Sequence, residues 1–114
     1  MTVNEKIIDA LAPVGLPVFP DIKQGDSGKY FVFNYTELPI DYGDNEPEHI
    51  KNMIQVHLFL PVDFDSVGLR KETKRYLLNA GFTYPTIYDA TDEEAQHWVF
   101  ECEDSEEAEI NGET

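Results

Sequence analysis

The chain predicts an α+β fold, a mainly antiparallel sheet with two helices packed on one face. Three observations carry that expectation. Periodic segments follow the order helix, strand, strand, strand, helix, strand, strand. Most connections between them are of hairpin length, which favours antiparallel neighbours over crossover units. The chain has 114 residues, 41% of them hydrophobic, enough for one core and hardly two.

The elements follow in order. "VNEKIIDALAP" places Val3, Ile7, Ile8 and Leu11 on one helical face, stopped by Pro13 and Gly15. "LPVFP" reads as a short edge strand, because its prolines restrict pairing. "KQGDSG" is a turn, and "KYFVFNYTEL" a strand with large apolar groups on both faces, hence central or covered twice. "PIDYGDNEPEH", residues 39–49, reads as a long acidic loop. "NMIQVHLFL" is a strong strand. Its even positions Ile54, Val56, Leu58 and Leu60 are aliphatic and belong to the core; its odd positions Met53, Gln55, His57 and Phe59 belong to a less dry face. "DFDSVGLRKETKRYLLNAG" is a helix, with Asp63 or Asp65 expected as N-cap and Gly81 beyond its C-terminus. Leu69, Thr73, Tyr76, Leu77 and Ala80 share its core face. "TYPTIYD" and "AQHWVFECE" are two final strands joined by a turn at "ATDEE". Residues 1–103 are expected to form one domain and 104–114 an acidic, disordered tail.

Charge narrows the function. Twenty-three acids against eight bases leave a formal net charge of −15, which repels nucleic acid at long range. Four of the eight bases cluster in "RKETKR", residues 70–75. No apolar run is long enough to span a membrane. "MTVNEKIIDALAP" lacks the basic and apolar regions of a signal peptide, and the single cysteine, Cys102, excludes an internal disulfide. A reducing compartment fits that cysteine usage.

The chemical constellations fail one by one. A zinc site needs three or four converging ligands, and the chain has three histidines, one cysteine and no H-x-x-x-H or C-x-x-C. His57 has only Met53, Gln55 and Phe59 as strand neighbours of equal parity, so it reads as a half-buried strand residue. His97 and Cys102 are an odd number of residues apart on one strand and therefore face opposite ways. Cys102 shares its parity with Trp98 and Phe100, as a small core filler does. "GDSGKY" has neither the spacing nor the following helix of a phosphate-binding loop. No catalytic residue, cofactor or metal is expected, and the chain is not read as an enzyme.

Three segments together resemble the tail terminator family of long-tailed bacteriophages and prophages, also known as tail completion or minor tail proteins. They are "YFVFNYTELPIDYGDNEP", "IQVHLFLPVDFDSVGLRKETKRYLLNAGFTYP" and "EAQHWVFECE". The resemblance rests on segment order and overall pattern across residues 7–103. It implies a small subunit that forms a homo-oligomeric ring, typically a hexamer, located in the virion at the head-tail junction and assembled in the host cytoplasm. Such a ring caps the tail tube, stops its polymerisation and presents a surface to the head-completion or connector protein. Its partners would be other copies of itself, the major tail tube protein and that connector, with DNA only passing through the lumen and no membrane involved. The resemblance carries no catalytic residue.

The alternatives are a neighbouring neck or head-tail connector ring, and, from another class, an acidic protein that mimics DNA. Contact residues are expected in two places. In the acidic loop, Ile40 and Tyr42 would dock on a partner while Asp41, Asp44, Glu46 and Glu48 meet its bases. Val67, Arg70, Lys71, Lys74, Arg75 and Leu78 would form an apolar centre with a basic rim on the outer face of the second helix.

Overall fold

The computed structural model describes residues 2–21, 28–43 and 46–107, with 41–48 and 106–107 as backbone alone. The expected turn at 23–28 and the expected tail beyond 107 therefore lie largely or wholly outside the described residues.

The first helix, α1, spans Val3–Leu11. Thr2 caps it, its hydroxyl accepting from the Glu5 amide at 3.1 Å. A short 3₁₀ turn, Ala12–Val14, ends at Gly15 in the left-handed region. Strand β1 (Val18–Pro20) then pairs in parallel with β2 (Tyr30–Gly43). A long hairpin joins β2 to β3 (Glu46–Leu60), and helix α2 follows at Val67–Asn79. Strands β4 (Thr86–Asp89) and β5 (Gln96–Glu107) complete the sheet. The strand order is β1-β2-β3-β5-β4, antiparallel except at β1. This is the expected α+β architecture, with the expected sequence of elements.

One apolar cluster joins both helices to one face of the sheet. Val3, Ile7 and Leu11 from α1 and Leu77 from α2 meet Phe31, Phe33, Ile54, Val56, Leu58, Leu60, Phe100 and Cys102. The even residues of β3 supply its centre, as their alternation requires. Two polar clamps set the edges of the helix layer. Gln96 is buried, and its amide donates to the carbonyls of Pro61 at 2.8 Å and Phe64 at 2.6 Å, fixing the path from β3 into α2. Lys6 reaches across to Asp104 at 2.8 Å and lies over the Phe82 ring, tying α1 to β5. The α2 C-terminus closes with Phe82 donating to Leu77 and Gly81 to Leu78, a paired arrangement that needs the positive φ of 98° at Gly81. At its other end the N-cap is Ser66, without a side-chain cap bond. Asp65, one of the two expected caps, accepts instead from the Val67 amide at 3.2 Å.

Two expectations are corrected. Residues 39–49 are not a loop. Pro39 to Gly43 continue β2, Glu46 to His49 begin β3, and the register runs out to Gly43↔Glu46. The segment has no regular apolar alternation, and its backbone is nevertheless paired as strand on both sides of the hairpin. Pro39 is tolerated by parity. Phe31 and Phe33 bond outward to the β1 side, so Pro39, of equal parity, turns its missing N–H to an edge beyond the reach of β1. Likewise β5 runs past the expected boundary at 103, through Glu107, because Asn52 to His49 of β3 offer it partners. Asp104 is held there by Lys6.

The distal parts of β2, β3 and β5 thus form a three-stranded arm standing beyond the helix layer. The radius of gyration is 15.7 Å, against about 13 Å for a compact domain of this size. At the root of the arm Asn52 is fully buried on the helix-facing side, and neither its amide nitrogen nor its oxygen has a hydrogen-bond partner.

Two outcomes follow from the arm root. Asn52→Leu replaces an unsatisfied buried amide by an apolar side chain of the same branching and should raise unfolding stability by about 1–2 kcal/mol in urea titration. Compared with a chain ending at Glu107, one ending at Glu103 loses the Lys6–Asp104 bridge and the outer β5 pairs. It should be less stable by about 2 kcal/mol in the same assay.

Candidate functional site

The two faces of the sheet differ. Helices cover one; the other carries no helix among the described residues. On this open face the register sets Tyr30, Phe59 and His97 directly opposite one another on β2, β3 and β5. Their rings stack, with centroids 5.0 Å apart for Tyr30–Phe59 and 4.3 Å for Phe59–His97. Phe19 of β1 extends the row edge-on at 6.2 Å from Tyr30. A ladder of four rings therefore crosses four strands. Tyr30, Phe59 and His97 turn their flat sides to one another, so the faces between them are occupied by their neighbours and not open to a nucleobase.

His57 sits one pair further along, between Val32 of β2 and Val99 of β5, both buried. Its Nδ1 lies 2.7 Å from His97 Nε2, and the amide nitrogen of Asn34 lies 3.1 Å from its Nε2. The bonds form one line. Asn34 donates to His57 Nε2, and His57 Nδ1–H donates to His97 Nε2, which requires two neutral imidazoles. Both rings titrate below the ordinary histidine range. For His57 burial is the main cause and His97 adds to it, with Glu101 opposing; for His97 burial outweighs Asp92 and Asp89. Asp89 ends β4 and Asp92 lies in the turn that follows, where Thr91 accepts the His97 amide at 3.1 Å.

The expected contact residues divide. Along α2, Lys71 and Arg75 are exposed, and Val67 is 49% exposed. Arg70 is not on the outer face. Its guanidinium lies 3.9 Å over the Trp98 ring and its Nε donates to Ser66 Oγ at 3.0 Å, so it packs α2 against the sheet. Lys74 is half-buried and donates to the Tyr84 hydroxyl at 2.9 Å. Leu78 is also half-buried, so a charge there would disturb folding as well as any contact. In the arm, Ile40 is half-buried on β2, Asp41 and Tyr42 lie on β2, and Glu46 and Glu48 on β3; Asp44 is outside the described residues.

Cys102 is buried in the core, and burial first, then Asp104 and Glu103, pushes its thiol up to about 12. It is chemically quiet at neutral pH. Among the described residues no three His, Cys, Asp or Glu side chains converge on a metal position. No helix among them is long and apolar enough to cross a membrane.

The sequence reading missed the His57–His97 pair. It compared each histidine with its own strand neighbours, whereas the pair forms between strands. The one signal available was that both occupy the outward parity of their strands. No family model matches the chain, and no curated protein matches it.

The imidazole pair fixes a pH dependence. Each folded-state pKa is below 6.5, so on acidification the unfolded chain takes up protons that the folded chain resists. The stability contributed by the neutral pair is present above about pH 6.5 and falls as pH drops below it. Replacing both residues by phenylalanine keeps the ring ladder and removes the titration. Relative to that variant, wild type should lose stability between about pH 7.5 and about pH 5, measured by urea unfolding. A difference independent of pH would disprove the linkage.

Proposed function

We propose that this protein is a structural subunit of a long-tailed phage or prophage, a tail terminator that forms a homo-oligomeric ring capping the tail tube. The observation that carries the reading is the arm. A three-stranded ribbon with no core of its own, extending a domain to 54 Å in its longest dimension, is a shape for reaching another subunit. The resemblance of residues 30–47, 54–85 and 94–103 to the terminator family supplies the particular assembly. The open face supports it, since Leu38 and Met53 are each nearly half exposed where the arm leaves the body. In this reading the ring ends tube growth and offers its other side to the head-joining protein, and DNA passes through an acidic lumen without adhering.

Electron microscopy provides the test. Purified protein, alone or added to tubes polymerised from the tail tube protein, should form rings with a central hole, and particles made without it should carry tails of abnormal length or unjoined tails. Normal tails in its absence would refute the proposal. Rings found on the head connector and never on tubes would move the protein to the neighbouring neck layer.

A further inference from the structure

The chain's charge is split between two places. On the described residues, α2 carries Arg70, Lys71, Lys74 and Arg75, half of all the bases, and none of the four forms a salt bridge with a carboxylate. Arg70 and Lys74 are engaged with Trp98 and Tyr84 instead. In a chain with 23 acids, a basic surface left without acidic partners is the exception. The complement is the arm. Its sequence, residues 36–53 and 101–107, holds ten acids against the single Lys51. Its three strands are paired along their length, so it cannot bend back to reach the α2 of its own chain.

We infer that the outer face of α2 is the docking surface for the acidic arm of a second copy, joined head to tail. Lys71 and Arg75, one helical turn apart, receive the carboxylates. Val67 and Tyr84, 49% and 67% exposed, supply apolar surface beside them, matching Leu38 and Met53 on the arm. The contact is heterologous: each copy gives an arm and receives one. Such contacts close into rings when the rotation between copies allows it. The inference rests on the ring reading and names the surfaces that make the ring.

Charge reversal tests it. Sedimentation velocity follows wild type, Lys71→Glu/Arg75→Glu, Glu37→Lys/Glu103→Lys (one change on each face of the arm) and an equimolar mixture of the two variants, each alone and with tail tubes. Circular dichroism confirms that each variant is folded. Each variant alone should associate at least about tenfold more weakly than wild type. The mixture should associate more tightly than either variant alone, because the charges introduced on the two surfaces are opposite in sign. Wild-type association should weaken as salt rises. If both variants assemble like wild type, the contact lies elsewhere and the ring reading survives. If both fail and the mixture also fails, the arm and α2 are not each other's partners. If wild type stays monomeric alone and on tubes, the ring reading and this contact fall together.

Discussion

The register of β3 between β2 and β5 is the constraint on which the rest of the molecule depends. Because strand side chains alternate, that register sends Ile54, Val56, Leu58 and Leu60 under the helices and His57 and Phe59 to the open side. A slip of one residue would put two aromatics or imidazoles into the core and four aliphatic side chains into water. The same register creates the Tyr30–Phe59–His97 row and brings His57 to His97. It also fixes where the arm begins, since Asn52 and Asp104 face each other at the last helix-covered level.

Beyond that level the chain changes its means of support. The body is held by apolar burial; the arm is held by backbone pairing, in a stretch whose acids repel one another. Extended strands suit such a sequence, because they place successive side chains on opposite faces and lengthen the distances between like charges. A free strand edge invites unwanted pairing. Here Pro39 removes a donor from the outer edge of β2, and Glu37, of the same parity, adds charge near it. The outer edge of β2 is thus a poor template for other strands.

The body of the fold was legible in the sequence, and the arm was not. Alternation in residues 52–60 marked a strand and its buried side, and the stripe from Leu69 to Ala80 marked α2 with its end at Gly81. Those patterns are legible because a core selects them. Residues 39–49 and 104–107 lie over no core, so nothing in their composition separates a paired ribbon from a loop or tail. Arg70 was placed on the outer face by helical angle alone, but a long side chain can turn back over the neighbouring sheet, as it does onto Trp98. The histidine pair escaped for a related reason: contacts between strands depend on register, and register emerges only when the whole sheet is assembled.

The distribution of charge also restricts how copies of this chain can meet. With a net charge of −15, two copies repel each other unless their contact sets opposite signs together. A two-fold contact through the arms would oppose acids to acids, and one through α2 would oppose bases to bases. Both arrangements add to the repulsion. A contact of arm with α2 reduces it, and an open series leaves one arm and one α2 unused, at its two ends. Closure leaves no unpaired pole, whereas an open chain of copies ends in a bare acidic arm at one end and a bare basic helix at the other. For the arm-to-helix contact proposed above, electrostatics therefore favours closed arrangements, a reciprocal pair or a ring, over an open filament.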